Sequence, residues 1–591
     1  MNTITNLIEK TQALLKSKGL AAWIIGGSDP HASEYVANRF QSRQWISGFT
    51  GSAGTCVITT DQALLWVDSR YYIQGFQQTE GTPFKVMKLH FPQVPDPLSY
   101  LAQHIPSGSK LAIDTQCTSQ SEYRALIEAF GTKEIDFVDS AELMESLWTH
   151  RPQLPFSPVS RIADEVAGQS ALQKISSIRE VLAALGVQGT IISSLDDIAW
   201  ILNLRGADID YNRVFLSYLV ILEQQVFLYT DQKRFDASVR TYVDSLLSLR
   251  PYEEFFSDLK TWGDSGKSLY LSPEKTSMKS FALLPDHLTI VEGRDISTDL
   301  KAIKSEAEIE GMRQAHLQDG IAMVMFLSYI ERTTEKLNEL SLAQKLLEFR
   351  KEAKGFIGPS FGTIAGFGAH GALAHYSATK ESSSTIEGNS LLVLDSGGHY
   401  ETGTTDITRT LLFGTPTSQM IKDYTLVLKG NLAVTSTSFP EGTMGYQIDT
   451  LARQFLWQHQ MNYGHGTGHG VGFCLNVHEG PQSISARPLA VGLQEGMIVS
   501  NEPGLYRQGE YGIRLENLLV AQKEKEGAFG SFLKWEVLTL CPFERKLIDK
   551  KLLSDSEKEL VDAYHRLVYS ALKEHLDEED AAWLLAATKP L

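Results

Sequence analysis

Seven residues in the later part of this 591-residue chain have the types and settings for metal chemistry. Asp395 ends the apolar run Leu391-Leu392-Val393-Leu394, and Asp406 follows after ten residues and precedes "ITRTLLF". "GHGTGHGVGFCLNVHEGP" carries His465, His469 and His478. Glu502 lies in "MIVSNEPGLY" and Glu516 in "GIRLENLLV", each beside an apolar strand-like run. Carboxylates are rarely buried without a partner. "LLVLDSGGHY" and "MIVSNEPGLY" share an order of apolar strand, carboxylate, tight turn and tyrosine. "GTTDITRTLLF" and "YGIRLENLLV" each set an acid in a strand next to an arginine. The echo predicts a pseudo-symmetric domain whose strand carboxylates converge on one centre. Four carboxylates and an imidazole carry too much negative charge to pack together unless cations neutralise it. Oxygen donors with one nitrogen suit Mn²⁺, Co²⁺ or Zn²⁺ better than a thiolate-loving ion. Carboxylates shared between two ions roughly 3.5–4 Å apart form a site that activates water and holds a tetrahedral transition state.

Other chemical patterns fail on their contexts. "GPSFG" (358–362) has the letters of a nucleophile elbow around Ser360, but that motif needs a strand before it and a helix after it. The sequence predicts a helix before it, and "TIAGFGAHGALAHY" does not read as a helix after it. "GHGTGHGVG" lacks the strand–turn–helix setting and downstream acid of a dinucleotide fingerprint. "VHEGPQ" is not a zinc-protease helix, because Gln482 stands where the second histidine belongs.

The elements that must position these residues follow from the rest of the chain. "WISGFTGSAGTCVITTDQALLWVDSR" from Trp45 and "WILNLRGADIDYNRVFLSYLVILEQQVFLYTDQKR" from Trp200 share one plan. Each runs Trp-Ile, a glycine-bearing turn, an apolar strand, a polar break, a second strand ending in Asp, and a basic residue. A repeat of two related α/β domains is the simplest account. The Pro-rich "RPQLPFSPVS" (151–160) reads as the linker between them. Ser305 and Glu308 form a capping box that opens a long amphipathic helix and a third domain. The expected segments are 1–150, 151–300 (a repeat of the first), a catalytic domain over 301–525, and a helical extension over 526–591.

Composition narrows the class. Lys and Arg number 54 and Asp and Glu 71, a net charge of −17. That balance disfavours nucleic acid or an anionic membrane as the main partner. Four scattered cysteines without a C-x-x-C pair suggest neither a disulfide framework nor a thiolate zinc site. The N-terminal stretch reads as an amphipathic helix rather than a signal peptide, and no apolar run approaches the ~18 residues of a membrane span. The expectation is a cytoplasmic protein.

"LLVLDSGGHYETGTTDITRT", "GHGTGHGVG", "VHEGP", "SNEPGLY" and "GIRLEN" together resemble the M24 metallopeptidase family, in particular its long, three-domain Xaa-Pro aminopeptidases. The likeness covers nearly the whole chain and is most specific over 370–517. It implies two creatinase-like N-terminal α/β domains ahead of a pita-bread catalytic domain. It also implies two divalent metal ions, Mn²⁺ first and Co²⁺ or Zn²⁺ as alternatives. Carried over position by position, the metal ligands are Asp395, Asp406, His469, Glu502 and Glu516, with Asp406 and Glu516 bridging. His375 in "LAHYSAT", His465 and His478 become catalytic, substrate-facing histidines, and Glu502 the proton shuttle. Arg514 becomes an orienting partner of a ligand carboxylate, Tyr506 a substrate-binding neighbour, and Arg70 in "WVDSRYYIQ" a substrate contact from the first domain. Asn212-Arg213 departs from the family's usual Asn-Pro at that point. The implied activity is release of an N-terminal residue from peptides with proline second, through attack of a metal-bound hydroxide on the Xaa-Pro bond. The implied assembly is a homodimer acting on small peptides. The alternatives are a prolidase restricted to Xaa-Pro dipeptides and a non-catalytic pita-bread binding module.

Overall fold

The computed structural model describes residues 3–260 and 268–591. The chain divides into two compact units: Met1–Asp164 with Gln169–Thr298, and Glu165–Gly168 with Asp299–Leu591.

The first unit holds two six-stranded sheets of one design. In the first, Phe84–Lys88, Ala63–Val67, Thr55–Thr59, Leu20–Ile25, Ser109–Ile113 and Ile135–Asp139 lie side by side in that order. Thr55–Thr59 runs antiparallel to both neighbours, and every other pairing is parallel. In the second the order is Ser248–Arg250, Val226–Tyr229, Tyr218–Leu222, Gly189–Ile192, Ser268–Leu271 and Thr289–Glu292. Tyr218–Leu222 is again the strand that runs against its neighbours. The repeat read from "WISGF…" and "WILNL…" is therefore a repeat of topology. Strands such as Ala63–Val67, "ALLWV", are buried throughout, as sheets covered on both faces require. Residues 151–158 between the repeats contain neither helix nor strand. His31 links the repeats: its Nδ1 donates to the Ser193 carbonyl at 2.9 Å and its Nε2 lies 2.8 Å from the Tyr252 hydroxyl. Burial holds this imidazole below its ordinary pKa.

The second unit opens with the helix Glu306–Arg332. Its capping box is as the sequence predicts: Ser305 Oγ accepts from the Glu308 N–H, and the Glu308 carboxylate accepts from the Ser305 N–H. The helix Glu339–Glu352 follows, and then an antiparallel sheet of Ile364–Phe367, Ser390–Ser396 and Ile407–Phe413. The plan then recurs, with helices Ser418–Thr435 and Gly445–Trp457 ahead of a second antiparallel sheet. That sheet runs Phe439–Pro440, Gly530–Val537, Asn517–Gly527, Ile498–Asn501, Gly468–Gly470 and Glu479–Ile484. The C-terminal helices Asp555–Leu572 and Glu578–Ala587 place Val561, Val568, Leu572 and Leu584 in the same core as Leu391, Tyr424, Val427 and Ile513.

One local expectation needs correcting. A strand, Phe356–Pro359, and not a helix, precedes Ser360. A strand also follows at Ile364–Phe367, so the elbow's helix is missing, and Ser360 Oγ is spent on the Thr405 carbonyl at 2.9 Å. Among the described residues no helix is long and apolar enough to cross a membrane.

Candidate metal centre

Strand pairing within the second unit assembles the acids. Asp395 lies opposite Thr408 across the pair Ser390–Ser396 and Ile407–Phe413, and Asp406 directly precedes the second of these strands. Thr408 joins the two halves of the unit: its carbonyl accepts from the Glu516 N–H at 3.1 Å, and its hydroxyl donates to Glu516 Oε2 at 2.9 Å. Asn501 pairs with Asn517, so Glu502 and Glu516 flank one end of a ladder. Helix Ser418–Thr435 holds that end, where Asn431 donates through Nδ2 to the carbonyls of Asn501 and Leu515 at 3.0 and 3.1 Å. These are the residues immediately before Glu502 and Glu516.

Ligand atoms of Asp406, His469 and Glu516 lie within 4.8 Å of one another. His469 Nε2 is 3.4 Å from Asp406 Oδ2 and 3.6 Å from Glu502 Oε1. Its Nδ1 is 2.9 Å from the Gly470 carbonyl, which can only accept, so a proton sits on Nδ1 and Nε2 is the nitrogen turned toward the acids. The His478 ring lies edge-on to that of His469, with centroids 4.3 Å apart.

Arg514 ties Asp395 to His465. Its Nη2 donates to Asp395 Oδ2 at 2.6 Å, its Nη1 to the Tyr506 hydroxyl at 2.7 Å, and its Nε to Thr408 Oγ1 at 3.3 Å. The Tyr506 hydroxyl accepts from arginine, which leaves its own proton for His465 Nε2 at 2.8 Å. His465 Nδ1 donates to the Gly466 carbonyl at 2.7 Å, so both ring nitrogens are engaged. Among the expected site residues, His375 sits half-buried in the segment after Leu373, next to Tyr376. Arg70 belongs to the first unit, where its Nε and Nη2 donate to the two carboxylate oxygens of Asp68 at 3.0 and 2.7 Å.

The electrostatics are those of an anion cluster. Burial, with Asp406 adding to it, pushes Asp395 up against the opposing pull of Arg514. Burial and the neighbouring acids Asp406, Glu502 and Asp395 push Glu516 well above the carboxylate range. Glu502 is pushed up to about 7 by burial, with His469 and Arg514 pulling down and Asp406 and Asp395 pushing up. Asp395 Oδ1 and Glu516 Oε1 are buried and accept no hydrogen bond. Buried polar atoms normally have a partner. Divalent cations would supply one to both oxygens and offset the mutual repulsion, and an oxygen-rich set with one imidazole suits hard to borderline ions. The residues present fit such a group. Sequence reasoning did not single out Thr408 and Asn431, since a strand threonine and a helix asparagine carry no signal until the register is known.

Buried carboxylates and an imidazole converging from antiparallel strands define the class as a metallohydrolase. Residues 310–523 match the model of metallopeptidase family M24, and 8–147 and 150–308 each match a creatinase/prolidase N-terminal domain. Residues 531–591 match the C-terminal region of the same peptidases. The chain belongs to metallopeptidase family M24, with two creatinase-type α/β domains ahead of a pita-bread catalytic domain. It is 37% identical to a probable Xaa-Pro aminopeptidase P of Coprinopsis cinerea, over 98% of this chain and 97% of that one. A probable Xaa-Pro aminopeptidase P of Pyricularia oryzae is likewise 37% identical, over 99% and 98%. Among solved structures, X-prolyl aminopeptidase of Caenorhabditis elegans, described as a cytosolic enzyme with a di-nuclear active site, superposes with a TM-score of 0.96. It is 32% identical and is matched over 100% of both chains.

Proposed function

We propose that this chain is a dinuclear Xaa-Pro aminopeptidase, releasing the N-terminal residue from peptides whose second residue is proline. One observation carries the proposal: Asp406, His469 and Glu516 cluster, with two unpartnered buried oxygens beside them, in a chain alike end to end to a di-nuclear X-prolyl aminopeptidase. Asp395, Asp406, His469, Glu502 and Glu516 would hold the ions, with Asp406 and Glu516 central enough to serve both. Mn²⁺ is our first choice of metal, and Co²⁺ or Zn²⁺ would suit the same donors. The four family matches support a division near 1–150, 151–300, 301–525 and 526–591. A homodimer in the cytoplasm completes the reading.

When bound, the ions would supply Lewis acidity toward the scissile carbonyl and toward a water. The protein's own groups do the rest. Cleavage frees a secondary amine, so a proton must reach the prolyl nitrogen as the bond breaks. Glu502, whose Oε1 lies 3.6 Å from His469 Nε2, is the group we assign to take and return it. His478, edge-on to His469, is the donor we assign to the developing oxyanion. The imide bond to proline offers no N–H for recognition. His465, with both ring nitrogens engaged, leaves its ring carbons as the part that suits a proline ring. His375 contacts the substrate in this reading.

Metal-supplemented hydrolysis of a panel of short peptides, with and without proline second and including Xaa-Pro dipeptides, tests the proposal. Cleavage of Xaa-Pro-Xaa tripeptides with release of the first residue is expected. Activity confined to dipeptides would make the protein a prolidase, and indifference to proline would overturn the reading.

A further inference from the structure

Glu339 is the first residue of the helix Glu339–Glu352, and it is fully buried. An acid in the first turn of a helix commonly caps its own N–H groups or faces water. Here the neighbouring Asn338 does the capping, accepting from the Ser341 N–H at 2.8 Å, and Glu339 is spent elsewhere. Its Oε1 accepts from the Phe367 N–H at 2.8 Å and from His370 Nδ1 at 2.9 Å. Its Oε2 accepts from the Tyr376 hydroxyl at 2.9 Å and from the Ser384 N–H at 2.8 Å. One carboxylate thus binds a stretch of chain at its start, middle and end. Between Leu373 and Asn389 that stretch forms neither helix nor strand; inside it, turns close where the Tyr376 N–H donates to the Leu373 carbonyl and the Ser383 N–H to the Thr379 carbonyl, each at 2.9 Å, and neither turn anchors it to the rest of the unit. Three further contacts close the clasp. The Glu339 N–H donates to the Ser384 carbonyl at 3.2 Å, the Ile386 N–H donates to the Leu337 carbonyl at 2.9 Å, and the His370 ring stacks on Tyr376 at 4.4 Å. His375 is the residue before Tyr376.

We propose that Glu339 is a positioning residue: through Tyr376 it fixes the loop that presents His375 to the substrate, and it takes no part in the chemistry. The proposal rests on the substrate role given to His375 above. Hydrogen bonds to a charged group are worth about 1.5–3 kcal/mol, which converts to roughly 10- to 100-fold. Tyr376→Phe removes one such bond next to His375, together with the hydroxyl's 3.2 Å contacts to the Ser382 carbonyl and hydroxyl, and leaves those to Phe367, His370 and Ser384 in place.

A double-mutant cycle separates positioning from bulk support. The quantities read are kcat, KM, bound metal and melting temperature for the full chain, His375→Ala, Tyr376→Phe and the double variant, on one Xaa-Pro-Xaa tripeptide. We expect Tyr376→Phe to lower kcat/KM about tenfold with bound metal unchanged, and to have no further effect once His375 is alanine. Glu339→Gln should lower kcat/KM at least as far, and if it fails to fold, the tyrosine cycle still decides. An equal loss from Tyr376→Phe in both backgrounds, or no loss in either, would overturn the proposal while leaving His375 its role. A His375→Ala enzyme as active as the parent would instead remove the role of His375, and the proposal with it.

Discussion

Acidification from pH 7.5 to 5.0 should cost the catalytic unit about 2 kcal/mol through His565 alone. This residue lies in the helix Asp555–Leu572 and is fully buried. Its Nε2 accepts a hydrogen bond from the Phe543 N–H at 3.1 Å, so that nitrogen must stay unprotonated. Its Nδ1 is buried without an acceptor. Burial, with repulsion from Arg409 and Arg545 behind it, pushes the imidazole down to about 3. In the unfolded chain the same group protonates near pH 6.5. Between those values the unfolded chain binds the extra proton, so stability is full above pH 6.5 and declines as pH falls toward 3. At pH 5.0 the unfolded imidazole is about 1.5 pH units below its pKa, and RT ln(1 + 10^1.5) is about 2 kcal/mol. His565→Gln keeps an acceptor for the Phe543 N–H and removes the titration. His31 and His316, also held low by burial, contribute equally to both proteins and cancel in the comparison. Urea unfolding followed by circular dichroism and tryptophan fluorescence at the two pH values gives the difference of differences. The variant should lose about 2 kcal/mol less than the parent on acidification. Parallel losses would refute the reasoning, because the folded His565 would then protonate as readily as the unfolded one.

Three further outcomes follow from particular contacts. Asp406→Asn removes a charge from the centre of the ligand set. Metal binding should weaken by more than the ~10- to 100-fold typical of losing an outer partner, with activity following. Elemental analysis after dialysis reads it, and retained metal with full activity would remove Asp406 from the set. A Cβ on Gly468 would overlap the Ser500 carbonyl oxygen. Gly468→Ala must therefore push Gly468–Gly470 off Ile498–Asn501, at about 1–3 kcal/mol in urea unfolding, and shift His469 enough to weaken metal binding. Glu479 is buried between the ammonium groups of Lys301 and Lys304 and adjoins His478. Removing its charge in Glu479→Gln should cost about 3–5 kcal/mol, seen as a lower melting temperature, and an unchanged one would show the pairing to be neutral.

What the sequence made legible was local and chemical. Asp395 and Glu516 stood out because a carboxylate beside an unbroken apolar run demands an explanation wherever the strand packs. The duplicated α/β domains were legible because each repeat keeps the same spacing of apolar runs and breaks. What could not be read was register and remote partnership. Thr408 matters because it lies opposite Asp395 and within reach of Glu516, 108 residues away, which no local pattern encodes. Asn431 looks like any polar residue in "LVLKGNLAVT" until its helix is laid across the ends of two strands. Glu339 reads as a surface acid in "NELSLAQKLLEFRKE", because its partners at 367, 370, 376 and 384 lie across a loop whose path the sequence does not give. The strand before Ser360 was misread for a related reason: Phe356–Pro359 is short and ends in Gly-Pro, and it forms a strand by pairing with the edge that Gly398–Tyr400 offers.

Arg514 stands between Asp395 on one side and Tyr506 and His465 on the other, and it donates in both directions. A guanidinium has no acceptor and keeps its protons throughout the range in which proteins work. The row therefore cannot relay a proton from the carboxylates to His465, whatever its short distances suggest. It behaves as a strut and an insulator together. A shift of Asp395 is felt at His465 as a change of position, while no proton passes along the row. The acids can thus gain and lose protons during a turnover without passing one to the ring against which we place the proline.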